Sequence, residues 1–552
     1  MDRPSTTPVA IVGGGPVGLL LALFLDRYGV DSVVFNAGSS VPDEPRGSTH
    51  NARTMEHYRT LGLADRVRAL GLPAHHDAGI SFSTRYSGHA LALLPWPGPG
   101  ESRRQVAAQD RTGQVPEPMH RANQMYVERL LLDRARAAGH ITLRFGDRVI
   151  GLRQEPDRVV LTAEGAAGPR TWHARYAVGA DGGRSFVRRR LGISYRGEGA
   201  LDQDVLGRRA TAAHLRVPTL YRDFLKDRAA WSNWVFNGEL ALNLIALDGA
   251  AEFFLLTSSV DPDTADDGTL VRLVRRAAGV DLPVEVLSHR PWTAGAALVA
   301  ERFGDGRVLL AGDAAHLFTP NGGFGMNTGA DDAANLAWKL AAAVQGWAGG
   351  RLLDSYEAER RPVALRNTAA ARRLGIGLGA IERPATLEDD SADGRAAREK
   401  TGLALAEYGQ LTLDTLGVQL GARYDTSAII DAGGSAPPAD AFTSYTPSSV
   451  PGGRTPHLWL DDDHGPGSSL FDRLGTGFTL LRVGGRAPRA EALATAAADH
   501  KVPLTTLELP GAQARELYGR RLVLVRPDQH VAWRGDELPA DPAALIRLVT
   551  GH

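Results

Sequence analysis

The sequence predicts an α/β chain, α+β overall: a parallel-sheet unit interrupted by an antiparallel sheet and followed by a small separate α/β unit. Three observations predict it. The chain begins with an apolar run, a Gly-rich turn and an apolar helix in direct succession; its middle holds short strand-like segments of alternating polarity; its end mixes strand-like and helix-like segments. With 552 residues the chain is long enough for about three to four domains.

Val9-Ala10-Ile11-Val12 is a short continuous apolar run, the pattern of a central parallel strand buried on both faces. Gly13-Gly14-Gly15-Pro16-Val17-Gly18 follows, then an apolar helix over Leu19 to Arg27, ended by Gly29, and a second strand over Asp31 to Phe35. In such a Rossmann-like unit each glycine has a reason. Gly13 makes the tight turn, Gly15 lets the backbone approach a pyrophosphate, and Gly18 lets the helix pack on the sheet with its N-terminus facing the phosphate charge. Taken alone, the motif also fits a turn without a ligand. The end of the second strand, where an acidic residue usually meets the ribose hydroxyls, carries Asn36. Its amide donates and accepts hydrogen bonds but lacks the charge.

Two later motifs narrow the ligand. Tyr176 to Gly182 is a strand ending in Asp181-Gly182 and followed by a basic run through Arg190. Gly306 to His316 is a buried strand running into Gly312-Asp313, and Pro320-Asn321-Gly322-Gly323-Phe324-Gly325-Met326-Asn327 is a second Gly-rich loop, opening a helix over 330–345. Asp313 stands at the carboxyl end of a strand, where ligands bind in open α/β sheets, and its carboxylate suits a sugar-like hydroxyl. The loop's bare backbone and the helix N-terminus suit a flat anionic ring.

In this order the motifs resemble the single-component FAD-dependent aromatic hydroxylases, the p-hydroxybenzoate hydroxylase-like family, and especially the bacterial members that tailor polyketides, chlorophenols and indolocarbazoles. The resemblance also rests on Pro45-Arg46, Arg53 to Glu56, Gln124 with Glu128, and Tyr356-Glu357-Ala358-Glu359-Arg360-Arg361-Pro362. It implies that Gly13, Gly15 and Gly18 line the FAD pyrophosphate and that Asn36 takes the ribose position. Arg46 and Gln124 would reach FAD, and Asp181 would touch FAD and the nicotinamide cofactor. Asp313 would hold the ribityl chain, with Pro320, Gly323, Met326 and Asn327 bordering the isoalloxazine.

The chemistry implied is reduction of FAD by NADH or NADPH as a transient co-substrate, addition of O2 at flavin C4a to give a hydroperoxide, and oxygen transfer to an aromatic or polycyclic small molecule. Trp234, Phe236, Trp292 and Phe324 are candidate substrate-pocket residues, beside Trp231 and Phe254; each is also an ordinary core aromatic. No general base is identifiable; Arg53, His289 and His50 are candidate pocket groups.

The resemblance sets the domains as well. The FAD-binding domain is expected over 1–75, 105–183 and 295–385, a substrate domain over 76–104 and 184–294, a linker over 386–402, and a thioredoxin-like C-terminal domain over 403–552. The chain has no cysteine, so thiol exchange, disulfides and Cys-ligated metals are excluded. His75-His76-Asp77 and Asp461 to His464 lack metal-motif spacing and read as loops, so no metal is expected. A net charge of −1 supplies no field for nucleic acid or an anionic membrane surface. The N-terminus lacks a signal-peptide pattern, and the expectation is a cytoplasmic monomer or homo-oligomer. The alternatives are the same fold doing Baeyer–Villiger, epoxidising or decarboxylating oxygenation, a flavin reductase or dehydrogenase, or a flavin- or ligand-binding protein without turnover.

Overall fold

A computed structural model describes residues 5–199, 209–292, 296–461, 464–465, 467–485 and 487–552. Its first sheet is built on strand Ser5–Val12, whose apolar end is buried on both faces. The strand order is Gly304–Asp305, Val308–Leu310, Gly168–Gly179, Ser5–Val12, Ser32–Asn36 and Ile141–Phe145; successive strands from Val308–Leu310 to Ile141–Phe145 pair in parallel, and Gly304–Asp305 joins the edge antiparallel. Helix Pro16–Arg27 starts on a proline, whose fixed φ favours the first helical position. Val17 to Leu25 are all buried, because the helix is wedged between the sheet and helices Gln124–Arg136 and Phe324–Gln345. A helix apolar on every side is stable only in such a wedge.

The second sheet has seven strands, ordered Glu285–Trp292, Ala210–Arg216, Glu252–Thr257, Ala241–Ala246, Ser232–Phe236, Ile80–Ser83 and Ala90–Leu94. It is antiparallel except where Ser232–Phe236 meets Ile80–Ser83. The sequence suggests one face on a core and one on a cavity; instead both faces are packed. One face carries Val235, Phe253 and Leu255 against helix Asp267–Ala278. The other carries Trp234, Phe236 and Phe254 against Phe324, Leu374 and Leu405. Its central strands are therefore buried throughout rather than alternately.

Residues 386–402, expected as a linker, are instead the end of a short 3-10 turn and the first half of helix Ala392–Leu413. Ser391 caps that helix through Gly394 N, and Leu405 and Tyr408 pack into the core beneath the substrate sheet. The helix belongs to that core, so the C-terminal domain begins after it. There, Phe478–Val483 and Leu504–Leu509 pair in parallel through helix Glu491–Asp499, and the hairpin Leu522–Val525 with Val531–Gly535 completes a four-stranded sheet. This is the thioredoxin-like arrangement. Among the described residues no helix is long and apolar enough to cross a membrane.

Candidate active site

The site forms where the first βα turn meets the loop and helix of residues 312–345. Gly13 holds φ +115°, and a Cβ there would lie 2.2 Å from Ala180 O; a Cβ on Gly18 would lie 2.0 Å from Gly13 O. At both positions any side chain would push the turn off the sheet. A Cβ on Gly15 would meet nothing within 4 Å, so this backbone faces open space. No side chain caps helix Pro16–Arg27. Its first N–H groups are left for a ligand, as a pyrophosphate requires. Asn36 ties the turn down: its Oδ1 accepts from Gly14 N at 3.2 Å while its Nδ2 donates to Gly38 O at 2.9 Å. A carboxylate could not make the second bond.

Gly312 and Gly329 both pack on Val17, which brings the start of the first helix, the Gly312-Asp313 turn and helix Phe324–Gln345 together. Asp313 is open to solvent although protein surrounds it closely, the situation of a carboxyl group lining a deep cleft. That crowding raises its pKa, partly offset by His316 and Arg46. The turn is held from below by Asp332. Its Oδ2 accepts from Gly312 N at 3.1 Å and meets His316 Nε2 at 2.6 Å, and its Oδ1 accepts from Arg360 Nε at 2.8 Å. Sequence reasoning missed Asp332 and His316; the available signal was an Asp-Asp pair inside a largely apolar helix.

The second Gly-rich loop enters its helix through Gly322 and Gly323, at φ +76° and +66°. The helix has no side-chain cap, so its first N–H groups are also available. Asn327 fixes this start: its Nδ2 donates to Gly323 O at 2.6 Å and Thr49 O at 2.9 Å, and its Oδ1 accepts from Asn51 N at 2.9 Å. The Asn327 side chain is thereby fully used within the protein, while Pro320 and Met326 are half-buried. Arg46 is exposed and its charge reaches Asp313. Gln124 donates to Glu128 at 2.5 Å. The Asp181 carboxylate accepts from Ser185 Oγ and from the N–H groups of Phe186 and Val187, so it holds the start of helix Phe186–Arg190. These donors and open backbone fit FAD: two uncapped helix starts for its anionic parts and a cleft carboxylate for a hydroxyl.

Trp234, Phe236, Phe254, Trp292 and Phe324 fall in one apolar cluster on the sheet face toward helix Arg351–Gly379. Trp231 stands apart, packed on the other side. The candidate pocket bases are not in this cluster. His289 registers opposite Ala213 on the face packed by helix Asp267–Ala278, 3.5 Å from Asp267, while Trp292 points to the opposite face. His50 is buried with Nδ1 on Tyr58 OH and Nε2 on Ala122 O, and burial pushes its pKa down to about 4. Arg53 is spent in a buried network with Glu56, Asp331, Gln529 and the Asp528 carbonyl. Among the described residues no cluster of His, Asp or Glu could hold a metal. His76 bonds the Asp77 carbonyl, and Asp462 and Asp463 lie outside the described residues.

A parallel sheet with this turn, this cleft carboxylate and this loop defines an FAD-binding oxidoreductase. The sequence matches the FAD binding domain family over residues 6–371 and the aromatic-ring hydroxylase C-terminal family over residues 448–551. It is 32% identical to FAD-dependent monooxygenase apdD of Emericella nidulans, over 99% of this chain and 90% of that protein. It is also 32% identical to the tetracenomycin B2 monooxygenase-dioxygenase of Streptomyces olivaceus, over 99% of this chain and 98% of that one. The structure of the rebeccamycin biosynthetic enzyme RebC with reduced flavin superposes with a TM-score of 0.88 at 35% identity, covering 100% of both chains. The chain belongs to the FAD-binding aromatic-ring hydroxylase family and is an FAD-dependent monooxygenase.

Proposed function

We propose that this monooxygenase hydroxylates an aromatic or polycyclic small molecule in secondary metabolism, using NADH or NADPH and O2. The observation that carries the reading is one juxtaposition: Phe324 opens the uncapped helix of the flavin loop and, with its ring, joins the aromatic cluster of the second sheet. A planar substrate held by Trp234, Trp292 and Phe324 would thus lie beside a flavin on that loop. The tetracenomycin and rebeccamycin enzymes among the relatives favour a substrate of this kind.

In this reading Gly13, Gly15 and Gly18 receive the pyrophosphate, with Asn36, Arg46, Gln124 and Asp181 around the nucleotide half. Asp313 takes a ribityl hydroxyl, and Pro320, Gly323, Met326 and Asn327 border the ring. FAD, when bound, supplies the activation of O2 with electrons from the nicotinamide cofactor. The protein's share is positioning and electrostatics. The first N–H groups of helix Phe324–Gln345 favour negative charge beside the loop. Asn327 keeps them aimed, and the packed aromatic face excludes water from the reaction.

The test is incubation of the yellow holoenzyme with NADH or NADPH, 18O2 and a panel of phenols and polycyclic phenols. One labelled oxygen on the ring, with oxidation of the nicotinamide stimulated by that compound, is expected. Label in a ring-expanded lactone would replace hydroxylation by Baeyer–Villiger chemistry. A protein that cannot be loaded with FAD would end the reading.

A further inference from the structure

Gln529 stands in a backbone conformation that its residue type seldom adopts. Among the described non-glycine residues with positive φ it alone is buried, at φ +68° and 4% exposed. Glycine would take this conformation without strain, so a long polar side chain kept there points to a role for the side chain itself. The residue lies in the turn between strands Leu522–Val525 and Val531–Gly535 of the C-terminal domain, and that turn is pressed into the FAD-binding part of the chain. Gln529 Oε1 accepts from Arg53 Nη1 at 2.5 Å and its Nε2 donates to Thr60 Oγ1 at 3.1 Å, at the two ends of helix Ala52–Thr60. The neighbouring Asp528 carbonyl accepts from Arg53 Nη2 at 2.8 Å.

Arg53 carries this contact to the cofactor site. Held at both ends of its fork, the planar guanidinium aims Nε at Asp331 Oδ1, 3.4 Å away. Asp331 Oδ1 also meets His57 Nε2 at 3.0 Å, and Asp331 Oδ2 accepts from Arg360 Nη1. Arg360 Nε donates to Asp332 Oδ1, and Asp332 Oδ2 accepts from Gly312 N, beside Asp313. A second, shorter route leaves the start of the same helix: Asn51 N donates to Asn327 Oδ1, on the side chain that fixes the flavin loop. Gln529, Arg53, Asp331, Arg360 and Asp332 are each at most 7% exposed. Water does not screen these bonds, and dense packing leaves them little room to readjust. Gln529 is neutral, so the ion pairs that fasten the domain, Arg454 with Glu56 and Arg526 with Glu359, do not depend on it. Both routes end on the flavin half of the site, and neither ends on the turn from Gly13 to Gly18.

We propose that Gln529 is a positioning residue for the flavin half of the FAD site: through Arg53, the C-terminal domain sets the Gly312-Asp313 turn and the flavin loop, but not the pyrophosphate turn. The proposal rests on the reading above, in which Asp313 and that loop hold FAD. It gives a thioredoxin-like domain without cysteine a part in cofactor binding that needs no thiol.

The test uses the full chain freed of flavin, with affinity measured for FAD and for ADP as a competitor that fills only the pyrophosphate half. Gln529→Met, close in size and under the same backbone strain, should weaken FAD about five-fold and leave ADP within about two-fold of wild type. Gln529→Glu, which keeps an acceptor for Arg53, should hold FAD near the wild-type affinity. Leu509→Ala, in the separate core of the C-terminal domain, should lower the urea midpoint and leave FAD affinity unchanged. Unchanged FAD affinity in Gln529→Met overturns the proposal, as does equal weakening of FAD and ADP. A glutamate variant as weak as the methionine one overturns it too, and so does a Leu509→Ala loss that matches Gln529→Met. Should Gln529→Met fail to fold, Gln529→Gly, which relieves the backbone, decides on the same comparison of FAD with ADP; if neither folds, Gln529 serves folding and the proposal fails. Failure of the FAD reading is seen separately, as a wild type that binds no FAD or an Asp313→Ala variant with unchanged FAD affinity.

Discussion

Asp313 has a carboxyl group in a place that disfavours its charge, and that conflict is informative. Its pKa is raised by the crowding of the cleft, so the ionised form is penalised in the protein without ligand. A hydrogen bond to a ribityl hydroxyl would offset the penalty. Asp313→Ala should therefore weaken FAD binding by about 1.5–3 kcal/mol, roughly ten- to a hundred-fold, while the apoprotein melts no lower than wild type. Equilibrium dialysis of FAD and thermal unfolding of the apoprotein check both halves; a variant with unchanged FAD affinity would remove Asp313 from the cofactor site. At this scale the sequence was most legible where the backbone is the message. Gly13 and Gly18 are demanded by contacts within a few residues or with the adjacent strand, and such demands leave motifs. Arg53 misled for the opposite reason. Its partners Asp331 and Gln529 lie 278 and 476 residues away, and no local pattern announces them.

Helix Phe324–Gln345 shows how one element serves the site and the core together. Its first turn is left uncapped, while Asp331, Asn335 and Lys339, four residues apart, make a buried polar stripe facing Glu359 and Arg360 of helix Arg351–Gly379. The stripe was visible in the sequence as an interruption of an apolar helix, but its partners were not. Helix Ala392–Leu413 was less legible still. Its charged first half reads as a linker, and only packing of Leu405 and Tyr408 under the substrate sheet makes it part of the core. The ribbon Thr49–His50 with His120–Arg121 supplies a prediction at this scale. Burial holds His50 at about 4 and His120 at about 3, and His457 likewise at about 3. A histidine with a depressed folded pKa contributes stability that is complete above its unfolded pKa of 6.5 and is lost as pH falls toward the folded value. Between pH 6.5 and 4 each of the three should cost about 1.4 kcal/mol per pH unit, about 4 kcal/mol together. Urea midpoints measured from pH 7.5 to 4.5 should fall steeply below 6.5. His120→Gln, if folded, should reduce the slope by about 1.4 kcal/mol per unit, and a flat profile through pH 5 would refute the account.

Over the whole molecule, the C-terminal domain is fastened by charge rather than by thiols. Five buried carboxylates (Glu56, Asp331, Asp332, Glu359 and Asp528) face five buried cations (Arg53, Lys339, Arg360, Arg454 and Arg526). Arg454, Arg526 and Asp528 come from the C-terminal part of the chain, and the others belong to the FAD-binding part and the helix that closes it. Trp338 and Trp347 add an apolar contact to Phe478 across the same boundary. The cysteine-free composition excludes thiol exchange by this domain, but the charges that fasten it appear only in three dimensions. It neutralises Glu359, which burial would push up and which Arg526 and Lys339 instead hold at about 2. Arg526→Met should therefore destabilise the protein by about 3–5 kcal/mol, since it takes the arginine from both Asp528 and Glu359 and leaves Glu359 with the Lys339 ammonium and its bonds from Asn335 and Ser427. Arg526→Met combined with Asp528→Asn should cost less than Arg526→Met alone, because the second change removes the charge that the first one strands. Denaturant unfolding of wild type, both single variants and the double variant closes the cycle. A double variant as unstable as the sum of its parts would mean that the two side chains act independently, and the domain would then be held by its apolar contacts with Trp338 and Trp347.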